Sequence, residues 1–210
     1  MRSLVIETAT AACSVALIED GVVIAHAHDI VGRGHAERLI PMIAALPGQG
    51  RAGRILVDVG PGSFTGVRVG LAAAKGLGIG WRVETFGYSS TFLLAAAAFH
   101  RNPDLPKLAV VLEGGHGEVF MQSFTRPVST HILAADAPLR SLAPTVALDA
   151  LDTPGFGSGV RRLLALDPSR PLHDTLPDAA DAVLLPPDAA SLPPRPIYGR
   201  APDAKPMAQP

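Results

Sequence analysis

The chain of 210 residues contains a single cysteine, Cys13, so no disulfide can form within it. That suits a reducing compartment, where thiols are not stored as cross-links. It also lacks an excess of charge of either sign: the net charge is −1. The first hundred residues hold 8 Lys/Arg and 7 Asp/Glu, the remainder 10 and 12, so neither half is a basic arm or an acidic tail. Tight nucleic-acid binding by this chain alone is therefore not expected, because neutralising phosphates needs a cationic surface. No apolar run is long: "FLLAAAAF" (92–99) is the longest free of polar residues, Pro and Gly, far short of a membrane span. The N-terminal "MRSLVIETA" reads as a first strand and not as a signal peptide. A soluble cytoplasmic protein with no membrane partner is expected.

Apolar residues make up 48% of the chain and charged residues 18%, enough to bury a real core. The length allows one large domain or two small ones. Composition changes near residue 100: of 20 prolines only 3 lie before it, whereas 14 of 21 glycines do. "HRNPDLP" (100–106) reads as the boundary, dividing a first domain, 1–100, from a smaller Pro-rich second domain and tail, 101–210. The end of that tail is expected to be extended and disordered.

Strands are expected at 2–8, 13–19 and 22–29, the last two joined by Asp20-Gly21, a hairpin signal. A helix is expected over 34–46, where Leu39, Met42, Ile43 and Leu46 share one face, with Pro41 kinking it or marking its first turn. A strand at 54–60, the loop and helix of 60–80, a strand at 82–87 and a helix at 89–100 follow. This is the order of a ribonuclease H-like fold, an antiparallel meander feeding parallel α/β units. The second half starts the same way, with strands at 108–113, 118–125 and 128–133 and a helix within 157–167. Two such halves in tandem suggest the actin/Hsp70/sugar-kinase (ASKHA) architecture, an α/β class, with the second copy degenerate.

"GPGSFTGVRVGLAAAKGLGIG" (60–80) resembles a phosphate loop running into a helix, but fits neither G-x-x-x-x-G-K-[ST] nor G-x-G-x-x-G. Free N–H groups at the helix start could hold an anion. Ser63 or Thr65 could equally cap the helix with no ligand. Within the helix, Gly66, Gly70, Ala73, Ala74 and Leu77 recur at helical spacing, although each interior Gly costs about 1 kcal/mol relative to Ala. Such a stripe lets a neighbour approach closely. That neighbour is either the protein's own sheet or a helix of another chain, with His35 and Met42 of helix 34–46 joining the surface.

Three further sets could carry chemistry. Glu7, Glu37 and Asp58 lie on the elements where ribonuclease H-like nucleases hold two metals, although Arg38 is a ready partner for Glu37. Glu7, Thr8, Thr10 and Ser14 of the first hairpin could meet Mg and the phosphates of a nucleotide, as in an ASKHA kinase or ATPase. The second-half counterpart, Glu113-Gly114-Gly115-His116, lacks Asp and Thr, and hydroxyls near turns usually bond their own backbone. His26 and His28 share a strand face without a third ligand, so no metal site is expected. Cys13 has no adjacent group to lower its pKa and reads as structural.

"LVIETATAACSVALIEDG", "RGHAERLIPMI", the 60–80 stretch, "GEVF" (117–120) and "PRPIYGRAPDA" (194–204) resemble, in order and spacing, the bacterial TsaB family. These are relatives of TsaD labelled M22 peptidases by kinship. The resemblance implies the two-domain ASKHA architecture and a non-catalytic subunit. Its role would be to support TsaD, with the ATPase TsaE, in adding threonylcarbamoyl to N6 of adenosine 37 of tRNA. It implies no cofactor of the chain's own, with ATP and Mg left to the complex interface. The metal would sit on a histidine motif of TsaD that this chain lacks, and tRNA would be reached only through the complex. The first two helices would bundle with TsaD, or with a second copy when the chain is alone. On this chain the matching positions are His35, Glu37, Leu39, Met42 and Ile43 in the first helix. In the second they are Gly62, Ser63, Phe64, Thr65, Gly66, Arg68, Gly70, Leu71 and Ala74. On this reading Gly70→Leu should weaken association more than folding. The sequence departs from the family at Glu7, where Asp is common, at Glu113-Gly114-Gly115, and in a short 46–54 connection.

Overall fold

A computed structural model describes residues 1–126 and 133–199. Strands β1 (Arg2–Glu7), β2 (Ala12–Glu19) and β3 (Val22–Ile30) form the expected antiparallel meander. Asp20 (φ 49°) and Gly21 (φ 81°) turn the β2–β3 hairpin, both with the positive φ that a two-residue turn needs. Helix α1 (His35–Ala45) crosses to β4 (Arg54–Asp58), and α2 (Phe64–Trp81) crosses to β5 (Glu84–Tyr88). Both strands run parallel to β1, giving the order β3-β2-β1-β4-β5. Pro41 does not interrupt α1.

Helix α3 (Ser90–Arg101) leads to the second sheet. Its elements are β6 (Lys107–Glu113), β7 (Val119–Thr125), β8 (Ala134–Ala135), β9 (Arg140–Leu142), α4 (Pro144–Asp149), β10 (Gly155–Phe156), α5 (Val160–Leu164) and β11 (Leu172–His173). The order is β11-β10-β6-β7-β8, with β9 also on β7. It repeats the first sheet's plan: β7 is antiparallel to β6, while β6, β10 and β11 are parallel to their neighbours. The expected fold class, two tandem α/β units with a degenerate second, is what the chain adopts. The strand expected at 128–133 lies, but for its last residue, outside the described residues. The helix expected within 157–167 is the short α5, and α4 was not anticipated.

Alternation along the first sheet places apolar side chains on both faces, and both are covered. Leu4, Ile6, Val15, Leu17, Ile55 and Val57 meet α1 and α2. Val5, Ala16, Ile18 and Leu56 meet α3 and residues 179–190. The other side of α3 packs on Leu108, Val110, Leu112 and Phe124 of the second sheet. A helix covered by a sheet on each side must be apolar all round, and this explains "FLLAAAAF". The Pro-rich C-terminal stretch is not wholly superficial. Leu185, Ala189 and Ala190 are buried against the first sheet, and Leu192 pairs with Gly87.

Candidate functional site

The loop after β4 is fixed from beneath by the turn between β1 and β2. Ser63 N–H donates to the Ala9 carbonyl (2.6 Å), and the Thr8 hydroxyl donates to the Gly66 carbonyl (2.8 Å). Ser63 Oγ caps α2 by accepting from Gly66 N–H (3.2 Å), so the cap that the sequence allowed is present. A Cβ on Gly62 would lie 2.0 Å from the Ala9 carbonyl oxygen, and one on Gly66 2.0 Å from that of Thr8. On Gly70 it would lie 2.4 Å from the Thr8 hydroxyl. The close neighbour of the glycine stripe is therefore the protein's own β1–β2 turn, just past the end of the first strand.

This relocates the expected partner surface. His35, Leu39, Met42, Ile43, Gly66, Gly70, Leu71 and Ala74 are all buried beneath their helices. Leu39, Met42, Ile43, Leu71 and Ala74 belong to the core over the first sheet. The apolar face of an amphipathic helix lying on a sheet goes inward, so these residues support the helices and are not offered to another chain. His35 Nε2 reaches the carbonyls of Thr10 (2.9 Å) and Ala12 (3.0 Å), so it carries the proton and ties the start of α1 to the β1–β2 turn. Ser63, Phe64, Thr65 and Arg68 do face outward, as does Glu37 of α1. Arg38 pairs with Asp29 instead of Glu37.

The outward face also holds residues that the sequence reading passed over: Ile40 and Ala44 on α1, and Ala72, Lys75, Gly76, Ile79 and Gly80 on α2. Ile79 is 81% exposed, Phe64 67% and Ile40 50%. A Cβ at Gly76 or Gly80 would meet nothing within 4 Å. The glycines thus serve two opposite faces, and only the second is open. At its start, Arg68 lies 3.2 Å from the centre of the Phe64 ring and donates to the Tyr198 hydroxyl (3.0 Å).

Under the loop, Glu7 and Asp58 form a buried carboxyl pair. They follow Ile6 and Val57, which are register partners on β1 and β4. Asp58 Oδ1 accepts from Gly60 N–H (2.5 Å) and the Ser90 hydroxyl (2.8 Å). Glu7 accepts from Ala9 N–H (2.8 Å) and the Tyr88 hydroxyl (3.3 Å). Asp58 Oδ2 is buried with no hydrogen-bond partner. Burial first, and then the charge of Asp58, hold the Glu7 carboxyl well above the usual carboxylate range. Burial also raises Asp58, against the pull of the donors on it, Glu7 foremost. Glu7 is therefore the member of the pair that favours its protonated form, since two bare carboxylates cannot share a dry site.

Of the residues considered for a metal or a nucleotide, the structure brings together only Glu7 and Asp58. Glu37 lies exposed on α1, away from the pair, and among the described residues no three His, Cys, Asp or Glu side chains are grouped to hold a metal. Glu7, Thr8 and Thr10 are buried, with their oxygens bonded within the chain. Ser14 accepts from Ala179 N–H (2.8 Å). Glu113 pairs with Arg162 (3.2 Å), and 114–117 form a tight turn between β6 and β7. His28 approaches Asp178 at 3.3 Å. Cys13 is buried, and desolvation, with the nearby Asp29 charge, raises its thiol to about 11. No helix of the described residues is long and apolar enough to cross a membrane.

A family model described as TsaD, tRNA N6-adenosine threonylcarbamoyltransferase, matches residues 25–152. The chain is 38% identical over 133 residues to the tRNA threonylcarbamoyladenosine biosynthesis protein TsaB of Escherichia coli, covering 60% of this chain and 56% of that protein. It is 34% identical over 128 residues to the protein of that name from Haemophilus influenzae, covering 59% and 53%. The chain thus spans about half the length of these curated relatives. Among solved structures, a Pseudomonas aeruginosa protein described as similar to peptidase YeaZ superposes with a TM-score of 0.78 at 26% identity. That match covers 95% of this chain and 99% of the other.

Proposed function

The chain belongs to the TsaB family, and from that premise we propose that it is a non-catalytic subunit of the tRNA threonylcarbamoylation machinery. It binds the TsaD homologue of its cell through the outward faces of α1 and α2. A second copy uses the same faces when that partner is absent. A TsaE homologue completes the assembly in the cytoplasm, tRNA is engaged by the complex, and ATP and Mg act at the subunit junction.

The observation that carries this reading is the open apolar face. A monomer rarely leaves Ile40, Phe64 and Ile79 on adjoining helices in water without a use for them. Replacing Ile79 by Asp removes an exposed group that holds nothing in the fold. The variant should keep its melting temperature within about 2 °C and lose at least tenfold in affinity for the TsaD homologue. Light scattering after size exclusion, alone and mixed, checks both. A wild-type chain that stays monomeric and unmixed at high concentration overturns the reading.

The hydroxyls and carboxyl of residues 7–10 are occupied by the chain itself. Millimolar Mg-ATP should therefore leave the melting temperature of the isolated chain unchanged, because a ligand that binds only the native state must raise it. A shift of several degrees would restore the kinase or ATPase alternative.

A further inference from the structure

We infer that the outward face of α2 is built to receive an apolar partner helix carrying carboxylates at seven-residue spacing, and to favour that helix over a second copy of this chain. The inference rests on the subunit reading above and specifies the chemistry of the partner. Along α2, Thr65, Ala72 and Ile79 recur every seven residues, with Val69 and Gly76 beside them at the same period. These positions make a shallow seam, and the seam is open: a Cβ at Gly76 would meet nothing. On one flank, Arg68 and Lys75 repeat at that period, and Arg82, the left-handed residue (φ 59°) that ends the helix, follows at the same spacing in sequence; all three are exposed, with Arg68 held over the Phe64 ring. The step from Arg68 to Lys75 is about 10.5 Å along the helix. Lys75 and Arg82 border a groove of about 340 Å³ beside Gly78 and Ile79.

An apolar seam flanked by charges at a seven-residue repeat is how paired helices choose partner and direction. Here the flank has one sign. No Asp or Glu occurs between Phe64 and Val83. A second copy would bring a matching row of cations, and its α2 carries no acid to meet them. Like charges set opposite each other cost several kcal/mol, whereas complementary rows steer association. An acidic helix therefore displaces the second copy. A nucleic-acid backbone fits the face less well, because it has no group to cover Ile79 and Ala72 between the cations.

The test uses the full-length chain and the TsaD homologue of its cell, with association rate and Kd followed from 50 to 500 mM NaCl. The double variant Lys75→Glu/Arg82→Glu, compared with Arg140→Glu on β9, isolates the row. The row variant should associate at least roughly tenfold more slowly at low salt and lose the salt dependence of the wild type. Arg140→Glu should behave as wild type. If the row variant binds with wild-type rate and salt slope while Ile79→Asp loses binding, the acidic-helix inference is overturned and the subunit reading stands. If wild type fails to bind at all, both are overturned. If the row variant keeps TsaD binding but loses retention of unmodified tRNA seen for wild type, the row is a phosphate surface and the inference is again wrong.

Discussion

Leucine at Gly70 should cost the fold and not the association. A Cβ there would lie 2.4 Å from the Thr8 hydroxyl and 3.4 Å from a Val57 methyl, and the rest of a leucine side chain would have to enter the space of β1 and β4. Thr8 is itself committed, donating to the Gly66 carbonyl. Overpacking of this kind costs about 3 kcal/mol, which lowers the melting temperature of a chain this size by roughly 6–12 °C. The contrasting variant is Gly76→Leu, six residues along the same helix. Nothing stands within 4 Å of its Cβ, and an exposed helix interior gains up to about 1 kcal/mol when glycine is removed. Gly76→Leu should therefore melt no lower than wild type, yet fail to assemble, because the bulk fills the open seam. Thermal denaturation and light scattering on the two variants separate the faces. If Gly70→Leu melts as wild type and only loses its partner, the inward assignment of the first glycine row is wrong.

That contrast also shows where the sequence was legible. The β1–β3 meander, the parallel β4 and β5, and the three helices of the first half follow from periodicity and from Asp20-Gly21, because each is long enough to repeat its pattern. The second sheet was harder. β8, β10 and β11 have two residues each, too few to show a period, and only their neighbours make them strands. The glycine row announced a close approach but not from which side. Spacing along one helix says that residues share a face, and nothing about whether that face looks at the chain's own β1 or at another protein. For α1 the ordinary rule was available: Leu39, Met42 and Ile43 form its apolar side and so go inward. The outward Ile40 and Ile79 are the informative residues, since they break the pattern. Glu7 and Asp58, with Glu37, offer themselves as an alternative metal site because strand order places their elements together. The same order predicts a carboxyl pair once both sites are known to be dry, and dryness depends on α2, Tyr88 and Ser90 closing over them.

The carboxyl pair makes the fold sensitive to pH, with a sign opposite to that of a salt-bridged acid. Glu7 in the folded chain binds its proton more tightly than in the unfolded chain, where it titrates near its ordinary value of 4.5. Below 4.5 both states are protonated at this site and its full contribution is present. As the pH rises from there towards the elevated folded value, the unfolded chain releases the proton while the folded chain keeps it. Stability then falls by up to about 1.4 kcal/mol per pH unit for this one group. Glu7→Gln replaces the acid O–H by an amide N–H that can still donate to Asp58, and it leaves an oxygen to accept from Ala9 N–H. The variant has nothing to titrate, so its stability relative to wild type should climb between pH 5 and pH 7. Each pH unit should widen the gap in melting temperature by roughly 3–5 °C. Asp58→Ala should behave otherwise. It strands the Gly60 N–H and leaves the Ser90 hydroxyl only the Pro61 carbonyl, and should destabilise by about 1–3 kcal/mol through most of that range. Urea midpoints of the three proteins at several pH values decide the matter. Parallel curves for wild type and Glu7→Gln would mean that Glu7 is not the group holding the proton. A widening gap would identify the pair as a shared-proton brace beneath the α2 loop.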